Sequence, residues 1–515
     1  MGILTIDIGT SALKVLAFDR SGRVLAREQL SYQTKHPQPG WAEQIPEDWW
    51  QAALQGIRVV SAQLRHLKEP ITGIGLTGQM HGPVLLAKDG GTLFPCMLWM
   101  DTRAQEEAAE ITRVVGHERM LALTGNPAVA AMPAAKLLWL RRHVPKLHQK
   151  IWKVLMPKDY LAWRLTGELI TDPSDASGTG LYNLRHNCWA NELVELVGIS
   201  QERLPPIARA GQLLGKVVPE AARQMGLPKS IPVFVGAGDL ATAALGNGVA
   251  RPGTVGIIVG TAGQLLFQLD EWPSAILGKL YLFAHAVPES FLGLGTVPTG
   301  GASLNWLARL ITGNRCSTAE KISEWLAQAK RVPAGSRGLV FLPYLAGTGT
   351  PYMDYRARGA FIGLTEFHGP AECVRAVLEG VAYSLRDSFE IVKKLGKDFC
   401  GTIRMGGGAT VTDLWLEIVA GVMGREVSCV ELRDASSMGA FILVAVGCGY
   451  YKDISSACET VVKLKEPFSP PRLMVRQYEE GYQMFCRLYK ALKQVQEGSL
   501  SEDERVPNGT GNAGI

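Results

Sequence analysis

One sequence pattern occurs twice in this chain, about half a chain apart, and it constrains the fold more than any other feature. Each copy is an apolar, β-favouring run, then Gly-Thr with small residues, then a second apolar run; the copies span 3–18 and 255–267. Two such runs joined by a few small residues predict a β-hairpin. Gly-Thr at the turn offers backbone N–H groups and a hydroxyl to phosphate oxygens. The repeat predicts a duplicated domain with two phosphate-binding turns, although either copy alone also fits an ordinary tight hairpin.

The chain length agrees with a duplication. A chain of 515 residues is too long for one compact core, so two domains of about 200 to 250 residues are expected. The segment 247–253, which contains Pro252, is the predicted boundary. We therefore expect an N-terminal domain over 1–248, a C-terminal domain over 249–495, and a polar tail over 496–515 that is disordered.

Charge and cysteine content limit the compartment and the partners. The formal net charge is +5 without a basic stripe, so nucleic acid is not an expected partner. The nine cysteines are scattered without a C-x-x-C pair, which favours reduced thiols in a cytoplasmic protein over disulfides or zinc. No signal peptide is predicted, and the most apolar stretch, 438–446, is too short to span a membrane and indicates a buried helix.

Strand and helix patterns alternate along the first half, which is typical of an α/β sheet. A third strand is predicted at 23–26, a helix from Pro46 towards Leu64, and a strand at 71–77 that leads to Met80 and His81. Ligands of such sheets bind beyond the carboxyl ends of strands. Further helices are predicted at 106–114, 134–142, 159–165, 240–245, 372–386 and 478–493, with one opening near 300–306, strands at 233–235 and 402–405, and a polar loop at 171–178.

Asp7 lies at the edge of the first predicted phosphate turn. Bound phosphate would repel a carboxylate there unless a cation lay between them, and Mg²⁺ held by one or two carboxylates, waters and phosphate oxygens is the usual solution. The alternative is a buried aspartate that caps its own turn. Asp7 is therefore a candidate for organising a magnesium ion.

Asp239 follows a predicted strand and two glycines. A carboxylate in that position can project into a cleft and accept a proton from a substrate hydroxyl as the hydroxyl oxygen attacks phosphorus. The alternative is an N-cap for the helix that follows, because aspartate is a preferred capping residue.

Two further signals are weaker. Gly406-Gly407-Gly408-Ala409 between a strand and a helix can admit a flat base or a ribose, or it can be a tight connection. His81 on an apolar segment can be a ligand or a satisfied core histidine. The chain has no G-x-x-x-x-G-K-[ST] motif, so any ATP site lacks the Walker loop.

Several motifs together resemble the FGGY family of carbohydrate kinases over residues 1 to about 493, with the ketose kinases of the xylulokinase type the most similar. The segment Gln79-Met80-His81-Gly82 points to that type. The motifs are 7–11, 40–44, 78–82, 99–103, 136–140 (Lys-Leu-Leu-Trp-Leu), 359–364, 375–380 and 406–409.

The resemblance implies two actin-like, ribonuclease H-like domains of the α/β class around a deep catalytic cleft. It implies that Asp239 is the catalytic base, that Asp7 organises Mg²⁺ with Asp239 as a further metal contact, and that ATP is the phosphoryl donor. The implied sugar-side residues are Met80, His81, Asp239, Trp99, Asp101 and Arg103. The implied nucleotide- and phosphate-side residues are Thr10, Ser11, Lys14, Thr261, Gly301, Asn305, Gly408 and Ala409.

The expected activity is ATP-dependent phosphorylation of D-xylulose to D-xylulose 5-phosphate. Three departures from the family pattern stand out: Leu240 where Asn is usual after the catalytic aspartate, Met100 in the Trp-Asn-Asp-x-Arg segment, and Ala262 where Ser is common. Leu240 removes a polar contact to the sugar, which keeps sedoheptulose, ribulose or an L-sugar open as the substrate. An actin-like ATPase or sugar sensor without kinase activity is the alternative from another class. Small-molecule sugar and MgATP are the expected partners, and a homodimer is compatible with the resemblance.

Overall fold

The computed structural model describes residues 2–227, 230–313, 319–395 and 401–499. The strands are β1 Gly2–Ile8, β2 Ala12–Phe18, β3 Val24–Ser31, β4 Glu43–Gln44, β5 Ile71–Gly78, β6 Val84–Leu86, β7 Cys96–Met97, β8 Lys153–Leu155, β9 Tyr182–Asn183, β10 Cys188–Trp189, β11 Leu213–Lys216, β12 Pro232–Phe234, β13 Ala237–Gly238, β14 Val255–Val259, β15 Gly263–Leu269, β16 Tyr281–Ala284, β17 Phe291–Val297, β18 Val340–Leu342, β19 Ala360–Ile362, β20 Ile403–Gly406 and β21 Val427–Cys429.

The α-helices cover the faces of the sheets. They are α1 Pro46–His66, α2 Gln105–Val115, α3 His117–Thr124, α4 Pro133–His143, α5 Pro145–Lys150, α6 Pro157–Thr166, α7 Pro173–Ser177, α8 Asn191–Leu196, α9 Pro219–Met225, α10 Asp239–Gly246, α11 Gly301–Thr312, α12 Ala319–Ala329, α13 Pro370–Lys393, α14 Asp413–Met423, α15 Ala435–Gly447, α16 Ile454–Val461 and α17 Arg472–Ser499.

Both predicted hairpins form, and each lies inside a larger sheet. The first sheet has the order β11-β12-β5-β1-β2-β3, with β13 also paired to β5. The second has the order β16-β17-β15-β14-β20-β21. In each sheet the hairpin is antiparallel and its first strand pairs in parallel with a later strand, β5 beside β1 and β20 beside β14. The two halves therefore repeat one arrangement, which confirms the α/β fold with an internal duplication.

The first hairpin is buried because its strands carry apolar residues almost throughout. Every residue of β1 is buried, including Thr5 and Asp7. A strand buried on both faces reads as a continuous apolar run rather than an alternating one. Helix α1 covers this sheet with Trp49, Ile57 and Val60, each fully buried.

Helices α10 and α15 hold equivalent places in the two halves, and they pack against each other. Gly439 of α15 has no room for a Cβ atom against the Thr242 carbonyl oxygen, and Gly246 of α10 has none against that of Ala435. Small residues of this kind let two helix backbones approach closely. Each helix begins at or beside an aspartate, Asp239 for α10 and Asp434 for α15.

One prediction of local structure is wrong, and one needs adjustment. Residues 173–177 form the short helix α7 rather than part of a polar loop, because the Asp172 carboxylate caps it by accepting from the N–H groups of Ser174 and Asp175. Helix α17 continues to Ser499, past the start predicted for the tail, and 500–515 lie outside the described residues. Within the described ranges, no helix has the length and apolarity to cross a bilayer.

Candidate active site

Three parallel strands of the first sheet end at the same level and carry two candidate catalytic residues. In the register of β1, β5 and β13, Thr77 pairs with Asp7 on one side and with Ala237 on the other. Asp7 therefore lies near the end of β1, and Asp239 follows β13 directly. Because ligands of α/β sheets bind beyond the carboxyl ends of strands, both carboxylates are at the ligand-binding edge.

Asp239 lies one residue inside the N-cap position of its helix. Asp239 is the first residue of α10, whose N-cap is Gly238, and no side-chain cap is made there. Its side chain is half-buried. The carboxylate is therefore not the N-cap of α10, although it accepts a hydrogen bond from the Leu240 N–H in the first turn.

Burial and like charge raise the pKa values of both carboxyl groups. Burial raises the pKa of Asp7 to about 6, with Lys14 lowering it and Asp434 raising it further. Burial and then the charge of Asp7 raise the pKa of Asp239 to about 7, and the Leu240 N–H lowers it in part. A carboxyl group with a pKa near 7 is matched to general-base chemistry at neutral pH.

Lys14 lies beside Asp7. It lies opposite Asp7 in the β1–β2 register, and its Nζ is 2.9 Å from Asp434 Oδ1. Asp434 precedes α15 of the second half. The pair therefore joins the two halves of the chain at the same edge where Asp7 lies.

Side chains from the first half hold the turn of the first hairpin. The Trp99 indole N–H donates to the Thr10 hydroxyl at 3.0 Å, and Gln44 Nε2 donates to the Thr10 carbonyl at 2.7 Å. The Tyr32 hydroxyl donates to the Gly9 carbonyl. Since a hydroxyl that accepts one bond keeps its own proton, Thr10 can still donate to a phosphate oxygen. Ser11, next to it, is exposed.

His81 has a defined tautomer. Its Nδ1 is 2.6 Å from the Gly178 carbonyl oxygen, which only accepts, so Nδ1 carries the proton. Burial lowers the pKa of His81 to about 4, and the nearby charge of Lys136 contributes to the lowering. The ring is therefore neutral at neutral pH, and Nε2 is an acceptor suited to a sugar hydroxyl. Met80, the preceding residue, is buried against Gly178 and Gly238.

The segment 99–103, the expected sugar-side wall, contains a buried ion pair between Asp101 and Arg103. Arg103 Nη2 lies 2.6 Å from Asp101 Oδ2 and 2.7 Å from Glu43 Oε1, and both side chains of the Asp101–Arg103 pair are at most 1% exposed. The guanidinium lies over the Trp41 ring at 3.6 Å. These two residues shape the wall from below, whereas Trp99 is 45% exposed at its surface.

The residues expected at the nucleotide converge on the end of β14. The Gly301 N–H donates to the Gly260 carbonyl at 2.8 Å, and the Ala302 N–H to the Thr261 carbonyl at 3.1 Å. Gly407 adopts a φ of +86°, and a Cβ atom there would lie 2.7 Å from the Val259 carbonyl oxygen. Helix α11, the second hairpin and the glycine-rich turn are thus in direct contact.

Exposure separates the remaining residues on that side. Thr261, Asn305 and Gly408 are exposed and can meet a ligand. Ala409 is buried, with 3% of its surface accessible.

Comparison with known proteins agrees with this arrangement. Residues 2–246 match the model of the N-terminal domain of the FGGY family of carbohydrate kinases, and residues 256–448 match that of its C-terminal domain. The chain belongs to the FGGY family. It is 31% identical to a xylulose kinase of Bacillus subtilis (strain 168) over 96% of this chain and 97% of that protein.

Solved structures of FGGY kinases share the fold. A xylulose kinase from Rhodospirillum rubrum superposes with a TM-score of 0.89 at 31% identity, over 96% of this chain and 100% of that one. A gluconate kinase from Lactobacillus acidophilus superposes with a TM-score of 0.90 at 26% identity, over 96% and 99%. The protein is therefore a carbohydrate kinase with the FGGY architecture, and membership of this family implies the use of ATP.

The two carboxylates of this FGGY kinase fit a magnesium ion that is shared with phosphate. Within the described ranges, no group of three or more His, Cys, Asp or Glu side chains is arranged to hold a metal ion. Mg²⁺ is usually bound through one or two carboxylates together with water and substrate phosphates. Burial is the main cause of the raised pKa values of Asp7 and Asp239, and a bound dication would favour the ionised form of both carboxyl groups.

Sequence reasoning missed several residues of this FGGY site because their partners are far away in the chain. Gln44 accepts from Trp49 Nε1 and Gln79 Nε2 and also donates to Thr10, so it joins three motifs. Asp434 carries a signal that could have been read, since it directly precedes helix α15 in the second half and Asp239 is the first residue of helix α10 in the first.

Proposed function

We propose that this protein transfers the γ-phosphoryl group of ATP to the terminal hydroxyl of a ketose, with D-xylulose as the substrate. The proposal rests on the adjacent carboxylates Asp7 and Asp239 at the strand ends, with the acceptor nitrogen of His81 on the same edge. Similarity to xylulose kinases over nearly the whole chain supports the choice of sugar.

In the proposed reaction Asp239 is the general base. The ionised carboxylate takes the proton of the sugar hydroxyl while the hydroxyl oxygen forms a bond to the γ-phosphorus. The bond from that phosphorus to the bridging oxygen breaks, and ADP leaves with its electron pair. Positioning and electrostatic stabilisation dominate catalysis of this kind.

The other residues bind and orient. Asp7 would hold Mg²⁺ with Asp239 as a second contact, and the ion would neutralise charge on the phosphates. Thr10, Ser11 and Lys14 would contact phosphate on one side and Thr261 on the other. The segments of Gly301, Asn305, Gly408 and Ala409 would bound the nucleotide. Trp99 would face the sugar, with Asp101 and Arg103 supporting it.

Leu240 is the observation that favours a second candidate. It is 8% exposed and belongs to the apolar cluster that includes Met80 and Phe283. An apolar side chain next to the base offers no hydrogen bond to a sugar hydroxyl. A related substrate is therefore the second candidate: another ketose, a polyol or a sugar acid such as gluconate, the last in keeping with the gluconate kinase neighbour.

A substrate panel tests the proposal directly. ADP release with MgATP is measured on D-xylulose, D-ribulose, sedoheptulose, L-xylulose, gluconate and glycerol. The highest kcat/KM is expected on D-xylulose. A higher kcat/KM on another substrate would change the proposed substrate but leave the proposed phosphoryl transfer unchanged. ADP release that no sugar accelerates would contradict the kinase activity and favour an actin-like ATPase.

The pH dependence follows from the base. The pKa of Asp239 is raised to about 7 in the folded protein, and only the ionised form can accept a proton. Because bound Mg²⁺ would favour the ionised form, we expect kcat/KM for the sugar, measured at limiting Mg²⁺, to be constant above that pH and to fall towards tenfold per pH unit below it. Rates from pH 5 to 9 check this, with the melting temperature followed in parallel. A flat profile down to pH 5.5 would contradict Asp239 as the titrating base.

A further inference from the structure

Helix α4 places one ammonium group against three backbone carbonyl oxygens. Lys136 Nζ donates to the carbonyls of His81 at 2.7 Å, Met97 at 3.0 Å and Leu98 at 2.7 Å. The side chain is fully buried, at 0% exposure. An ammonium group has three protons, so each of them has a carbonyl partner.

The three carbonyls belong to two separate segments that both lead into the proposed sugar site. His81 lies three residues after the end of β5, Met97 is the last residue of β7, and Leu98 follows it directly before Trp99. His81 has a φ of +67°, in the left-handed region that non-glycine residues seldom adopt. Its imidazole Nδ1 is held by Gly178 and its carbonyl by Lys136. Both ends of this strained residue are therefore fixed by hydrogen bonds.

The position of Lys136 is unfavourable for stability alone. It is the fourth residue of α4, near the helix end where the macrodipole disfavours a positive charge. Burial also lowers the pKa of Lys136 to about 7, with the charge of Asp101 opposing the shift and that of Arg103 adding to it, whereas the neighbouring Cys96 thiol, with a pKa raised to about 12, is neutral. A buried cation in such a place indicates that the three carbonyl contacts are needed.

Helix α4 also contacts the sugar-side wall through a second residue, Trp139. Trp139, three residues further along, lies 5.3 Å from the Arg103 guanidinium and meets Trp41 edge to face. Residues three apart lie on one face of a helix. Lys136 and Trp139, the polar and aromatic members of the Lys-Leu-Leu-Trp-Leu motif, thus both brace the wall.

We propose that Lys136 is a positioning residue for the sugar: it ties the His81 segment to the Trp99 segment and so fixes the acceptor geometry of the sugar site. The inference rests on the proposed function. Lys136 has no contact with the reacting atoms, and it acts through the backbone of residues that would touch the sugar. Because Trp99 also donates to Thr10 of the phosphate turn, we expect replacement of Lys136 to weaken sugar binding much more than ATP binding.

The test compares Lys136→Met, Lys136→Gln and the control Ile111→Ala. Methionine keeps the length and apolar volume but has no donor, and glutamine retains an N–H donor on a shorter chain. Ile111 is 1% exposed in helix α2, which packs against α4 in the same hydrophobic core. Its truncation lowers stability through a cavity and touches none of the three carbonyls. KM for D-xylulose, KM for MgATP, kcat and melting temperature are measured for each variant.

The expected result for Lys136→Met is a rise of tenfold or more in KM for the sugar, with KM for MgATP within twofold of wild type. Lys136→Gln should show a smaller rise in the same direction, and Ile111→Ala should lose melting temperature with both KM values unchanged. If Lys136→Met does not fold, the inference is judged on Lys136→Gln. The expected result is then a rise of threefold or more in KM for the sugar, with KM for MgATP within twofold of wild type.

Two results would overturn the inference. One is a KM for the sugar within twofold of wild type in Lys136→Met, or in Lys136→Gln if Lys136→Met does not fold, whatever the melting temperature of the variant. The other is an equal rise in both KM values. Failure of the proposed function is distinguishable, since the wild-type protein would then phosphorylate none of the sugars in the panel.

Discussion

Replacing Asp239 with asparagine should lower kcat by about 10²- to 10⁴-fold, the range that general-base catalysis contributes. Asparagine keeps the shape of the side chain and the first turn of α10, but it cannot take a proton from the sugar hydroxyl. The KM values for sugar and MgATP should change much less than kcat. Initial rates of ADP release on the preferred sugar measure the effect.

The same variant should be at least as stable as the wild type at pH 8. The folded protein raises the pKa of Asp239 from 3.8 to about 7, so the folded state binds this proton more tightly than the unfolded state does. The contribution of Asp239 to the free energy of unfolding therefore falls as pH rises from about 4 to about 7 and stays low above pH 7. Asparagine carries no charge and removes the loss.

Asp48→Asn is the matched control, because Asp48 is an exposed carboxylate in the first turn of α1. It should leave kcat unchanged. A kcat for Asp239→Asn within tenfold of wild type would contradict the proposed base, and a lower melting temperature at pH 8 would contradict the electrostatic account.

Replacing Asp7 with asparagine should have the second largest effect. We expect kcat to fall by about 10²-fold or more, since a divalent ion supplies several kcal/mol of charge stabilisation in phosphoryl transfer, and half-saturation should require more Mg²⁺. Loss of the Asp7 charge should also lower the pKa of Asp239, because Asp7 is the charge that raises it. The acid limb of kcat/KM, measured at limiting Mg²⁺, should therefore move to lower pH.

Titration with Mg²⁺ and pH profiles from 5 to 9 measure both effects. Thr5→Val is the control, since Thr5 is fully buried two residues earlier on β1 and threonine and valine have similar volumes. Unchanged dependence on Mg²⁺ in Asp7→Asn would favour the alternative in which Asp7 only supports its own turn.

The features predicted correctly from the sequence are those set by neighbouring residues. Both hairpins, the strand that precedes Met80, the buried helix at 438–446 and the strand-turn-helix around Asp239 follow from local periodicity and turn chemistry. The boundaries differ most for long helices: α13 begins at Pro370 rather than at 372 and continues to Lys393. Periodicity identifies a helix more reliably than its ends.

The contacts that complete the site depend on distant parts of the chain. Gln44 meets Gln79, Lys14 meets Asp434, and Lys136 meets carbonyls near residues 81 and 98. A backbone carbonyl as the partner of a lysine leaves no trace in side-chain composition. The capped helix α7 was missed for a different reason, since its Asp-Pro-Ser-Asp sequence is equally typical of a turn.

The packing of α10 against α15 shows how two equivalent parts of a duplicated fold come to have different electrostatic properties. The two helices are copies of one element, and each brings an aspartate to the same region. Asp434 lies between the cations of Lys14 and Arg27, at 2.9 and 3.4 Å, whereas the charge that acts on Asp239 is the like charge of Asp7. The duplication thus gives two aspartates in equivalent positions. Asp434 is paired with two cations, whereas Asp239 faces a like charge, which favours its binding of a proton.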